Sequence, residues 1–510
     1  MALLQHRINL DSAVFPLLSE LLGRTIVIRG SDQTYPHTFA TQIAADPPQL
    51  YYAHNVLPTM QGYQSVGYIT FIPASVGHNF VDVVTLRDGL TGSSALLGIT
   101  SSGVALISTL AVPTWTVADV SGTPSISGKL VTIAYVRGVT YIYFKGVGCY
   151  SYNFTTKVLD AVTLTGLTAA NIHGIVGSHG YLLAFGLSNS IAWSSTVDPT
   201  DFTPSLITGA GAGVLDGAQG ETVTAVAVQD GMIFFNATNA TSGMYQGNER
   251  FPFAFTTIVG CGGLSDAKFA AYANLDSPAA YAYTTSGLQV IDTRQAKFLL
   301  PEVTDFLSGN KLEDFDETTL TLSTVSPGHT LRKRLAWIAD RYLILSYGAD
   351  NLTHALVFDT YTSRLGKLKL PHIATFEFTL YDQTAQETPK KSVGCISFDG
   401  TIKVVNTDLD FAASNGVAIL GKYQYVRERL IQLQKVELEN IPNSGAFFLY
   451  DMITLDGKTL QAPVAGYNTG NTGLSQKYNF HLTGINHSLL AKGNFNLVSG
   501  ILGFNIAGKL

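Results

Sequence analysis

Apolar and aromatic residues in this chain arrive in short runs, two at a time, with a Gly, Asp or Asn turn between the members of each pair. The pattern is LLGITSSGVALI (96–107), YIYFKGVGCYSY (141–152), YLLAFGLSNSIAW (181–193) and MIFFNATNATSGMY (232–245). It continues as AAYAYTTSGLQVID (279–292), YLILSYGADNLTHALVFD (342–359) and GCISFDGTIKVVN (394–406). Each predicts a β-hairpin, because two β-prone runs flank turn-forming residues. Their starting positions lie 45, 40, 51, 47, 63 and 52 residues apart. A spacing of about 40–50 residues is that of four-stranded propeller blades. The expected fold is all-β: a six- or seven-bladed β-propeller over 50–410, followed by a β-sandwich platform over 411–510.

Residues 1–49 lack the pattern. One or two helical turns are expected over 14–22, started or broken by Pro16, and TIVIRG (25–30) reads as a short alternating strand. The intervals 304–334 and 379–391 read as loops or insertions. In the last hundred residues, YVRERLIQLQKVELEN (425–440) alternates as a long strand but slips phase at Lys435-Val436, which predicts a bulge. The N-terminal segment is expected to join this platform, since a domain inserted mid-chain brings both ends together.

Composition sharpens the picture. Of 510 residues 46% are hydrophobic and 13% charged, about half the usual ~25% charged share. Such a surface suits a subunit covered by partners, and equally a low-charge soluble β protein. A formal net charge of −6 argues against broad nucleic-acid or anionic-membrane binding. The tight basic cluster Arg332-Lys333-Arg334 and the acidic stretch 313–317 read as two solvated loops, although they are placed to pair within or between subunits. Cys149, Cys261 and Cys395 are odd in number and far apart, and Cys149 and Cys395 read as small buried hydrophobes in strands. Asp11 interrupts what would be a signal-peptide core, and no apolar run approaches the ~20 residues of a membrane helix.

Candidate chemistry is sparse. GAGAGV (209–214) has the look of a nucleotide loop but lacks the Lys-Ser/Thr of a P-loop, so a flexible inter-blade loop is expected. Ser397-Phe398-Asp399-Gly400 approaches a sialidase-type turn without its Trp and reads as a hairpin turn. No HExxH, HxH, CxxC or G-x-S-x-G pattern occurs. The expectation is no enzyme, no cofactor and no metal site. Trp115, Trp193 and Trp337 could stack on sugars, but as bulky wedge-fillers they are expected between blades.

Several phrases resemble a known family. NVLPTMQGYQSVGY (55–68), NSIAWSSTVDPTDFTP (189–204), GAGAGVLDGAQGETVTAVAVQDGMIFF (209–235), FPFAFTTIVGCGGLSD (251–266) and YTTSGLQVIDTRQAKFLLPEVTDFL (283–307) occur in an order that resembles the β-propeller tail hub, or nozzle, proteins of short-tailed bacteriophages. The resemblance spans roughly 50–440. It implies a structural virion protein of the tail, assembled in the host cytoplasm, that forms a homo-oligomeric ring of six copies beneath the portal-adaptor. Such a ring prolongs the DNA channel, helps retain packaged genome and anchors tail fibres or a needle. Genome DNA would pass through a neutral to acidic lumen without specific binding, and no membrane insertion is implied. The best candidate for a subunit contact is the platform strand 425–439, where Arg427, Glu428, Arg429 and Glu437 are placed for intersubunit ion pairs; an ordinary strand edge blunted by charge explains them equally. The alternatives are a receptor- or glycan-binding propeller of a fibre or spike, and a capsule-degrading hydrolase.

Overall fold

The computed structural model describes residues 4–9, 26–28, 50–60, 62–72, 80–88, 94–100, 104–107, 117–119, 131–187, 189–215, 220–248, 251–271, 279–308, 312–316, 321–325, 332–338, 341–349, 351–380, 390–406, 416–425, 430–440, 446–454, 465–470, 475–484 and 486–508. The helical turns expected over 14–22 lie outside these residues, as does Trp115.

All seven predicted hairpins form, and each supplies the two middle strands of a four-stranded antiparallel unit. Among the described residues, units I to V span 80–119, 131–162, 174–214, 224–257 and 270–298. Unit VI is Arg332–Ile338, Tyr342–Gly348, Leu352–Asp359 and Arg364–His372. Unit VII is Ala374–Leu380, Lys390–Ile396 and Ile402–Asn406, completed by Gly67–Ile72 from the far end of the chain. In units I to VI, chain order is strand order.

Apolar wedges between successive units close a circle. Leu97 and Ile99 of unit I meet Ile142 and Phe144 of unit II. Tyr143 of II meets Ile175 and Leu182 of III, and Trp193 of III meets Phe234 and Phe253 of IV. Phe235 of IV meets Ala282 and Ile291 of V, and Leu288 of V meets Leu343 and Leu356 of VI. Ile344 and Val357 of VI meet Val393 and Val405 of VII, and Phe376 and Phe378 of VII return to Phe80 and Val83 of I. Burial on both faces explains why Gly231–Phe235 is buried along its whole length rather than at alternate positions. The architecture is a β-propeller whose last sheet is completed by an N-terminal strand.

Unit VI does not end at its fourth strand. Lys367 pairs with Val56 of Val56–Pro58, that strand with Tyr63–Ser65, and Tyr63–Ser65 with Asn496–Gly508. One ten-stranded sheet therefore runs from the propeller through Leu430–Asn440 to Ser475–Gly484, with Leu4–Asn9 beside Asn496–Gly508. A second sheet of six strands is centred on Gly416–Tyr425 and Asn486–Gly493; Ile26–Ile28 joins it in parallel. Their facing residues share one core: Leu420, Leu449 and Leu489 against Leu433, Val436, Phe480 and Phe504.

Two expectations are corrected in the interval 304–334. The chain forms a helix, Pro301–Ser308, with Val303 and Leu307 buried one turn apart. Glu313, Asp314 and Asp316 then fall in the hairpin strand Leu312–Asp316, paired with Thr321–Val325. Arg332, Lys333 and Arg334 are not a loop either: they open the innermost strand of unit VI.

Candidate functional site

The strand proposed for subunit contact is observed as Leu430–Asn440, with a register shift between Leu433 and Lys435 where the phase slip predicted one. It is an interior strand, paired with Ser475–Gly484 on one side and Asn496–Gly508 on the other. Its backbone therefore offers no edge to a neighbouring subunit. Glu437 forms an ion pair with Lys435 two residues away on the same strand. Arg427, Glu428 and Arg429 lie outside the described residues. The core beneath this sheet holds an ionisable pair, Asp451 Oδ2 and His487 Nδ1 at 2.9 Å, both buried. Burial pushes the Asp451 carboxyl above its ordinary value, against the pull of His487.

The basic cluster works inside the propeller. Arg334 grips Asp82 of unit I with contacts of 2.7 and 3.2 Å, reaching past unit VII from one innermost strand to another. The Lys333 ammonium lies 5.0 Å above the Tyr283 ring, and burial lowers its pKa. Trp337 stacks on Tyr281 at 4.4 Å, and Trp193 is buried with Nε1 donating to the Gly209 carbonyl at 2.9 Å. Both are wedge residues rather than exposed sugar platforms. The GAGAGV segment is not a flexible loop: Gly211–Val214 is the outer strand of unit III. A Cβ on Gly211 would stand 2.9 Å from the Trp193 ring, and one on Gly213 would stand 2.6 Å from Phe255. Glycine there lets the aromatic rings lie flat on the strand.

One end of the propeller carries the turns that join first to second and third to fourth strands. There the third strands of units II, V and VI end on Asx turns. Asn153 accepts from the N–H of Thr155 and Thr156, and Asp292 from Arg294 and Gln295. At the corresponding point of unit VI, the buried Asp359 accepts from Tyr361 N–H and the Thr362 hydroxyl. It is also clamped by Arg341 Nε and Nη2 at 2.9 and 2.7 Å. At this end of units II and III, Arg137 donates to the carbonyls of Gly180 and Val197. The loop that Val197 opens closes on Thr208, whose carbonyl accepts from Thr196 N–H. At its tip Leu206 is 75% and Ile207 94% exposed. Their turn is fixed, since Ser205 Oγ accepts from the N–H of Ile207 and Thr208. Val139 and Val197, also exposed, belong to the same group of turns. Sequence reading missed this tip, because two aliphatic residues between turn formers look like any short strand.

Reactive chemistry is scarce among the described residues. Among the described residues no group of three or more His, Cys, Asp or Glu side chains is placed to hold a metal ion. No helix there is long and apolar enough to cross a membrane. The Cys149, Cys261 and Cys395 thiols are buried, and burial pushes each up to about 12, so they stay protonated. His372 is buried between the Ser346 hydroxyl (2.8 Å) and the Leu370 carbonyl (2.6 Å). Burial lowers it to about 4, helped by the nearby Arg334 and His354, so it is neutral at pH 7. Asp399 accepts from the N–H and hydroxyl of Thr401, which makes 397–401 the hairpin turn expected of it rather than a carboxylate site.

No family model matches the chain, and no curated protein matches it. Among solved structures it is similar to the WD40 β-propeller domain of Doa1, at 12% identity over 68% of this chain and 98% of that one, with a TM-score of 0.39. It is also similar to BamB from Moraxella catarrhalis, at 9% identity over 70% and 97%, with a TM-score of 0.35. The likeness is one of architecture and carries nothing about activity.

Proposed function

We propose that this chain is a structural subunit of a phage tail, a hub or nozzle built as a seven-bladed propeller on a β-sandwich platform. Six copies would form a ring below the portal-adaptor, prolong the DNA channel and anchor fibres or a needle. The observation that carries the reading is the continuous sheet from unit VI into the C-terminal strands. It makes propeller and platform one stiff body, which suits bearing load and presenting surfaces rather than turning over a substrate. Low charge and the order of hub-like phrases along 50–440 support it. The Trp residues that glycan binding would call on, Trp193 and Trp337, are engaged within the propeller.

The fixed Leu206–Ile207 tip gives such a ring an apolar contact. Light scattering of the purified chain, alone and on isolated DNA-filled heads, is expected to show a species near six times the 54.6 kDa chain mass. The double variant L206S/I207S is expected to lower that assembly while its unfolding free energy stays within about 0.5 kcal/mol, as for other exposed positions. A chain that remains monomeric both alone and on heads would sink the ring.

A further inference from the structure

A single stretch near the N-terminus touches both C-terminal sheets and units VI and VII in turn. Ala53 and His54 end the strand Leu50–His54, paired with Ala418 and Val417 of the six-stranded sheet. Val56 pairs with Lys367 of unit VI. Gln64 and Tyr63 pair with Asn496 and Leu497 of the last strand. Gly67–Ile72 then closes the propeller on Ile402–Asn406. Attachment of the C-terminal sheets and closure of the propeller thus depend on the same twenty or so residues.

Three buried side chains tie these pairings together. Asn55 stands at φ +51°, a conformation that Asn tolerates better than most residues. Its Oδ1 accepts from the Tyr68 hydroxyl on the closing strand (2.8 Å) and from Lys369 N–H on unit VI (2.9 Å). Its carbonyl accepts from Val66 N–H at 2.8 Å. Arg364 of unit VI donates to the carbonyls of Thr59 and Gly62 at the hairpin tip and lies over the Tyr63 ring at 5.6 Å. Ser65 holds the opposite side: its N–H donates to the Phe495 carbonyl at 2.8 Å, and its Oγ accepts from Phe495 N–H at 2.8 Å. Gly416 packs against Ser65 so closely that a Cβ there would lie 2.2 Å from the Ser65 Cβ.

We propose that residues 53–72 act as a clasp that makes propeller closure and attachment of the C-terminal sheets one cooperative event, so that neither opens without the other. Cooperative units exchange their amide hydrogens with a common opening free energy. A hinge between independent domains would show two. The coupling is argued from this segment's pairings and holds whatever the chain assembles with.

The test is hydrogen exchange on the full chain, read at Gly67–Ile72 and Ile402–Asn406 for closure and at Leu430–Asn440 and Asn496–Gly508 for attachment. In the unsubstituted chain both groups are expected to exchange with one protection factor. Asn55→Gly keeps the positive φ and removes only the side-chain bridge. It is expected to speed exchange in both groups together by about tenfold or more, the effect of losing a buried two-donor acceptor. Ser65→Ala, on the other side of the clasp, is expected to do the same. Should Asn55→Gly not fold, Ser65→Ala and the unsubstituted chain still decide the matter. Two well-separated protection factors in the unsubstituted chain would overturn the proposal. So would variants that each loosen only their own side.

Discussion

Arg341→Ala is expected to lower folding stability by about 3 kcal/mol, the lower end of the range for removing one partner of a buried ion pair, because Arg341 is partly exposed while Asp359 is not. Asp359 is fully buried, and its two oxygens take Arg341 Nε, Arg341 Nη2, the Thr362 hydroxyl and Tyr361 N–H. The guanidinium is also held between the Tyr342 and Tyr361 rings, at 5.0 and 5.5 Å. Arg341→Lys is expected to recover little, since an ammonium can neither span both oxygens nor stack between two rings in the same way. The pH dependence should change sign. In the native chain burial alone would raise the Asp359 carboxyl, but the hydrogen bonds from Arg341, Thr362 and Tyr361 outweigh it and hold the group below its ordinary value. Its contribution is therefore present above the unfolded carboxylate value of about 3.9 and lost as pH falls through the lower folded value. Without Arg341 burial dominates and the carboxyl moves up, so the variant should gain stability as pH falls from neutrality. Denaturant midpoints across pH would show this. A variant within 1 kcal/mol of the native chain at pH 7, or with the native pH slope, would contradict the clamp.

Trp193→Ala is expected to cost about 3–5 kcal/mol, as large aromatic truncations in cores do. The ring fills the wedge between units III and IV against Phe253 and Phe255, and it lies flat on Gly211. Trp193→Phe should cost less, about 1–2 kcal/mol, since it keeps much of the wedge and loses the hydrogen bond to the Gly209 carbonyl. Gly211→Ala tests the geometry from the other side. It should destabilise the native chain, where its Cβ meets the Trp193 ring, and be tolerated once Trp193 is Ala. A coupling of about 1 kcal/mol or more in the double-mutant cycle is expected. Additive effects would mean that the outer strand of unit III is not shaped by this ring.

The hairpins were legible because they are local: two apolar runs and a turn sit within about fifteen residues, so periodicity alone exposes them. The other two strands of each unit carry weaker signals. Ala270–Ala271 is a two-residue innermost strand, and Gly211–Val214 has glycines where a side chain would strike a ring. Arg332-Lys333-Arg334 looked like solvated surface because charge usually marks surface. Here Asp82 and Tyr283, both distant in sequence, supply partners that admit a cation to the propeller wall. Closure by Gly67–Ile72 is a pairing with Ile402–Asn406, which no local pattern encodes. The bulge in Leu430–Asn440 was legible from its phase slip, whereas its interior position was not, since its half-buried charges, Lys435 and Glu437, imitate the blunting of an edge. Asn55 and Ser65 were invisible for the same reason as the closure, because their partners Lys369 and Phe495 lie in other parts of the chain.

As proposed, this chain builds a tail ring rather than performing chemistry or binding a receptor. Electron microscopy of particles made when a nonsense codon interrupts its gene tests that directly. Heads that leak DNA, or tails that stop below the portal, are expected. DNA-filled particles with complete tails that fail only to adsorb, or only to clear capsule, would contradict it.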